Sequence, residues 1–143
     1  MKLLISEILQ KVSNAKTKAE KVQLLRQYNS QTLRSLLIWN FDDSVTSEIP
    51  DGEVPYKPNT SPKGTEHTLL EHEGRKLYYF VKGGSNIPAL KKESMFIAMC
   101  EGLHAEEAEV LCLVKDKDLQ SKFRITKACV EEAFPQIQWG GRT

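Results

Sequence analysis

Apolar residues recur at helical spacing from the first turn of the chain. Leu4, Ile5, Ile8, Leu9 and Val12 fall at i, i+1, i+4, i+5 and i+8, which lines one face of a helix. The segment "SNAK" ends that stripe. Thr17 and Glu20 then stand at capping-box spacing, in which a hydroxyl and a carboxylate each satisfy the other's free backbone amide. This predicts a second helix carrying Val22, Leu25 and Tyr28. Ser30, after Asn29, is expected to cap a third helix with Leu33, Leu36, Leu37 and Phe41 on its stripe.

From Asn40 to Thr65 the periodicity dissolves. Pro50, Pro55, Pro58 and Pro62 disfavour both helix and central strand. So long an irregular stretch is uncommon inside a small domain and tends to be functional or disordered. Residues 40–65 therefore read as an extended arm within a single domain spanning residues 1–143. Ile49, Val54 and Tyr56 give the arm apolar contacts, to its own domain or to a partner.

The stretch "HTLLEHEGRKLYYFVKGG" fits two geometries. Leu69, Leu70, Leu77, Phe80 and Val81 suit a helix ended by Gly83. "KLYYFV" alone suits a strand, which makes a small hairpin near 68–82, turning at Gly74, the alternative. The helical surroundings favour the helix.

The remaining pattern is helical. Asn86 and Pro88 predict a capped helix start with proline in its first turn, followed by the stripe Phe96, Met99, Cys100 and Leu103. Gly102 is expected to end this helix in a left-handed conformation. In the next helix Glu106 and Glu107 open the first turn and Lys115 and Lys117 close the last, complementing the helix dipole. The run Val110–Val114 is apolar almost all round, which predicts a central, buried helix. Thr126 should cap a final helix, with Ile125 and Val130 as a hydrophobic staple and Pro135 as its stop. Trp139 is then a single aromatic anchor in the tail. The fold class is all-α: a compact domain of about six helices with the proline-rich arm between the third and fourth.

Composition narrows the function classes. Across 143 residues, 40% are hydrophobic and 27% charged, and 20 basic residues against 19 acidic ones leave a net charge of +1. That balance gives no overall steering toward nucleic acid or an anionic membrane. No apolar run approaches bilayer length, and "MKLLISEILQKV" is too polar to be expected to act as a signal peptide. The odd count of three cysteines, Cys100, Cys112 and Cys129, each in a helical apolar pattern, predicts reduced, buried thiols in a cytosolic setting.

Candidate chemistry is sparse. Cys100 and His104 have metal-ligand spacing, but Gly102 interrupts the helix between them, so His104 reads as a cap. His67 and His72 are five apart, whereas two ligands on one helical face need four. "KGGSN" lacks the spaced glycines and the Lys-Ser/Thr pair of a phosphate loop. No strand–turn–helix elbow presents a nucleophile. The reading is of a protein that is not an enzyme, with no cofactor and no metal.

Two surfaces remain for partners. The arm's Ile49, Val54, Pro55, Tyr56 and Pro58 include the Pro-x-x-Pro spacing that favours polyproline II geometry, suited to gripping another protein. The alternative is nucleic acid: Arg75, Lys76 and Lys82 interleave with Tyr78 and Tyr79, the cation-and-aromatic mix that single-strand binders use. Charge near zero weighs against it.

Taken in order, "NAKTKAEKVQLLRQYNSQTLRSLLIWNFDDSV", "PDGEVPYKPN", "LYYFVKGG", "ESMFIAMCEGLHAEEAEVLCLVKDKDL" and "ITKACVEEAFP" resemble a family of small proteins carried by large, contractile-tailed bacteriophages, including those of cyanobacteria. The resemblance covers most of residues 14–139. It carries no assigned activity and therefore no site residues. It implies a chain made in a bacterial host's cytoplasm, either incorporated into the virion or acting in a phage-encoded complex. The expected partners are phage or host proteins, with self-association and nucleic acid also open and no membrane. The leading expectation is an interaction or structural component. The second is a nucleic-acid-associated accessory factor in replication or transcription.

Overall fold

Local capping starts the helices where the sequence pattern places them. Thr17 Oγ1 accepts from the Glu20 amide at 3.2 Å and begins α2 (Lys18–Gln27). Ser30 Oγ accepts from the Leu33 amide at 3.1 Å and begins α3 (Gln31–Phe41). Ahead of both lies α1 (Ile5–Asn14), where the Leu4 amide donates to Glu7 Oε1. The computed structural model describes residues 4–49, 70–81, 86–137 and 139. Beyond the first three helices it contains a 3₁₀ helix (Leu70–Phe80), α4 (Ala89–Gly102), α5 (Ala105–Lys115), a short 3₁₀ turn (Leu119–Ser121) and α6 (Lys127–Ala133). Among the described residues there is no strand; the one trace of β pairing is an isolated antiparallel bridge between Ser47 and Val81. The fold is all-α.

The central position falls to α5, which packs against α1, α3 and α4, while α6 lies on α2. Val110, Leu111 and Val114 are fully enclosed. The predicted stripes of α1, α2 and α3 point into this core: Leu9, Val12, Leu25, Leu33, Leu36 and Leu37 are all buried. Thr126 Oγ1 caps α6 through the Cys129 amide, and Arg26 of α2 closes the other end of α6 by donating to the Glu132 and Ala133 carbonyls.

Several expectations are corrected. Residues 70–80 form a helix, as expected, and not the alternative hairpin, but with 3₁₀ rather than α geometry. In a 3₁₀ helix side chains three apart eclipse one another, so Gly74, Leu77 and Phe80 make one narrow face. That face lies on α3, and Phe80 also meets Phe96 of α4 edge to face, with ring centroids 5.3 Å apart. Pro88 is itself the cap residue of α4, so the helix starts two positions later than a cap at Asn86 implies, and among the described residues no side chain caps it. Gly102 is the last helical residue of α4, and Leu103 (φ −91°, ψ 157°) makes the corner instead. Cys112 is partly exposed rather than buried.

The arm is described as far as Ile49, and this part is tied to its own domain. Asp42 accepts from the Ser44 amide and hydroxyl, Val45 and Ile49 are buried, and the Glu48 amide donates to the Phe80 carbonyl at 2.8 Å. Lys92 of α4, 1% exposed, clamps Glu48 at 2.8 Å. Ile49 thus belongs to the core of this chain and is not a free contact for a partner.

Two charges expected to complement the dipole of α5 also make structural bonds to other elements. Glu107, 1% exposed, accepts from the Ile5 amide at 3.0 Å through one carboxylate oxygen and from the Leu70 amide at 3.1 Å through the other. One side chain in the first turn of α5 therefore supplies the acceptors for the starts of α1 and of the 3₁₀ helix. At the far end of α5, Lys117 takes a left-handed conformation (φ 56°). The Lys117 amide donates to the Val114 carbonyl and the Asp118 amide to the Leu113 carbonyl, the paired bonds of a Schellman ending. Its ammonium does not serve α5 but reaches α3, donating to the Trp39 and Asp42 carbonyls at 2.7 and 2.6 Å. Asn40 completes the join by accepting from the Leu119 amide and donating to Gln120.

Candidate functional site

A groove of about 700 Å³ runs between α3 and the 3₁₀ helix. It exists because these two elements meet very closely at one point. A Cβ on Gly74 would lie 2.1 Å from Thr32 Oγ1, so only glycine lets the 3₁₀ backbone rest directly on α3. Beside that contact, side chains of both elements line the gap.

The bed of the groove is apolar: Trp39 and Leu77 are buried, with Val45 beside them. Ile38, Tyr79 and Val81 form partly exposed walls, while Gln31, Ser35, Lys76 and Tyr78 supply the polar rim. Trp39 carries an unusual feature. Its indole Nε1 is buried and has no hydrogen-bond acceptor among the described residues. A buried donor left unpaired costs about 1–3 kcal/mol, so a ligand that displaced the atoms covering it and brought an acceptor would gain that bond.

At the rim the Tyr78 and Tyr79 rings lie 4.4 Å apart, and Tyr78 is 50% exposed. A hydrogen bond to the Tyr79 side chain pushes the Tyr78 phenol above its ordinary value. Lys76 is ion-paired with Glu73 at 3.0 Å. The described lining thus offers aromatic faces, hydroxyl and amide groups and a buried donor, which is recognition chemistry.

The structure brings together three of the residues read as a nucleic-acid surface, Lys76, Tyr78 and Tyr79. Phe80, from the same run, is fully buried and unavailable for stacking. Val54, Pro55, Tyr56, Pro58 and Lys82 lie outside the described residues, as does the Arg75 side chain. Sequence reasoning missed Trp39, which sits off the leucine stripe of α3. Its groove-facing position follows from where the 3₁₀ helix docks, a tertiary fact without a local signal.

A second cavity of about 450 Å³ lies between α1, the start of α5 and Phe123. Ser6 Oγ is buried there without a partner among the described residues. The surrounding charges balance, and the lysines are engaged, Lys11 with Tyr28 and Lys122 with Glu109. One ordered water would suit that hydroxyl. Cys100 and His104 serve different ends: His104 Nδ1 accepts from the Glu106 amide at 3.1 Å and caps α5, while Cys100 faces Cys112. Among the described residues no group of three His, Cys, Asp or Glu side chains converges as a metal site, and no helix is long and apolar enough to cross a membrane.

The chain belongs to a family of unknown function, DUF6433, whose model matches residues 8–121. No curated protein and no solved structure is matched. The matched span contains α2 to α5, the groove and both ends of the arm.

Proposed function

We propose that this chain is a non-enzymatic interaction protein, a structural or assembly component of a phage particle or of a phage-encoded complex, and that the α3–3₁₀ groove is its protein-binding face. The observation that carries the reading is the groove's bed: apolar and aromatic, with the Trp39 indole N–H buried and unpaired. A partner segment that lays an apolar side chain over Leu77 and Val45 and offers a main-chain carbonyl to Trp39 satisfies both features at once. Tyr78 at the rim is the type of side chain that anchors interfaces, large and apolar with a polar tip. The phage setting comes from the resemblance of the sequence blocks alone. Quantitative mass spectrometry of purified particles and of complexes co-purifying from infected cells tests the reading. The chain is expected at a fixed copy number in one of them, and its presence only as a free monomer would overturn the proposal.

Nucleic acid is the second reading, favoured by Tyr78 standing open beside Lys76. It is weakened by the Glu73 partner of Lys76 and by the burial of Phe80. Binding of single-stranded oligonucleotides that falls steeply with salt, and is lost in Tyr78→Ala, would favour it over the protein partner.

A further inference from the structure

Two thiols come together away from the groove. The corner at Leu103 folds α5 back along α4, so that Cys100 Sγ and Cys112 Sγ lie 4.0 Å apart, within S–H···S contact. Cys100 is 1% exposed, and Cys112 is partly open to solvent. The third thiol, Cys129, is buried on α6. We propose that Cys100 and Cys112 form a dithiol site that reacts with hydroperoxides and closes to an intramolecular disulfide between α4 and α5.

The geometry divides the work. A disulfide requires sulfurs about 2.0 Å apart, so they must approach by roughly 2 Å, a side-chain movement within an existing contact. Cys112 is the attacking thiol because it is the accessible one. Its thiolate is favoured by the hydrogen bond from Cys100 and by the Lys115 ammonium one turn along α5, against burial and the opposing carboxylates of Asp116 and Glu109. Cys100 is held protonated by its hydrogen bond to Cys112, by burial and by Glu101 on its own helix, with Lys115 opposing. It is the resolving thiol.

In the first step the Cys112 thiolate attacks one peroxide oxygen. An S–O bond forms, the O–O bond breaks, and the departing hydroxide takes up a proton as water, leaving a sulfenic acid. In the second step the Cys100 sulfur attacks the Cys112 sulfur. The S–S bond forms, the S–O bond breaks, and hydroxide leaves as water with the Cys100 proton. Two thiols are oxidised by two electrons, and one hydrogen peroxide is reduced to two waters.

The test uses the folded, full-length chain. It is treated with hydrogen peroxide at neutral pH, alkylated in denaturant and mapped by mass spectrometry. The expected result is loss of two hydrogens, a peptide joining Cys100 to Cys112 that dithiothreitol separates, and Cys129 fully alkylated. In Cys100→Ser the reaction should stop at a sulfenic acid on Cys112, trapped by dimedone. The wild-type map decides the matter even if a variant misfolds. Three alkylatable thiols after treatment, earlier oxidation of Cys129, or only intermolecular dimers would overturn the proposal.

Discussion

Removing the Glu107 carboxylate should be among the most damaging single changes outside the apolar core. The side chain is 1% exposed and accepts the Ile5 and Leu70 amides at 3.0 and 3.1 Å. In Glu107→Ala both donors stay buried without an acceptor, at about 1–3 kcal/mol each, so the loss is about 4 kcal/mol in total. Against a usual domain stability of about 5–15 kcal/mol, that is a large fraction. It corresponds to a drop in melting temperature on the order of 10 °C for a chain of this size. Glu107→Gln keeps one acceptor oxygen but turns a donor toward a donor, and should fall between wild type and alanine. Glu106 is the control. It occupies the same helical turn but is exposed, so Glu106→Ala should cost no more than the dipole interaction of about 0.3–1 kcal/mol. Thermal and urea melts of the three variants decide. Equal losses for Glu106→Ala and Glu107→Ala would refute the argument, because a solvated carboxylate at a helix start would treat both positions alike.

At Gly74 an alanine Cβ would meet Thr32 Oγ1 at 2.1 Å and Thr32 Cα at 3.3 Å. Gly74→Ala should therefore lose about 1–3 kcal/mol by overpacking, and adding Thr32→Ala should recover part of it in the same melts. Lys117→Ala loses the bonds to the Trp39 and Asp42 carbonyls while keeping a Cβ in the left-handed conformation. Lys117→Gly loses the same bonds without that penalty, so it should be the more stable of the two by about 1 kcal/mol; the opposite order in urea melts would show that the backbone there is not strained. Gly102→Ala, at a helical position, should be neutral or stabilising by up to about 1 kcal/mol, and a clear loss would restore a left-handed corner.

Features decided within a few residues were legible in the sequence. Thr17, Ser30 and Thr126 cap the helices they were expected to cap, and His104 caps α5, because each bond spans two or three residues. The stripes of α1 and α3 needed only periodicity. What depended on distant partners was not legible. Glu107 and Lys117 have the same local signature as dipole-complementing surface charges, and only the arrival of α1, the 3₁₀ helix and α3 makes them structural. Residues 70–80 satisfied helix and strand patterns about equally, and the backbone there is a 3₁₀ helix whose Gly74 rests on Thr32 of α3. The candidate site was half visible. Lys76, Tyr78 and Tyr79 were marked by their composition, while Trp39 emerges only when the groove is assembled. Cys100 and Cys112, 12 residues apart, became a pair only through the corner between their helices.

The groove as a protein-binding face is tested most directly by a photo-cross-linking amino acid placed at position 78, with position 131 on the exposed face of α6 as the comparison. Irradiation in phage-infected cells should give one discrete protein adduct from position 78 and none from position 131. The adduct should weaken in Trp39→Phe, which removes the unpaired N–H while keeping an aromatic ring. Equal adducts from both positions, adducts with nucleic acid alone, or no dependence on the Trp39 indole would contradict the account.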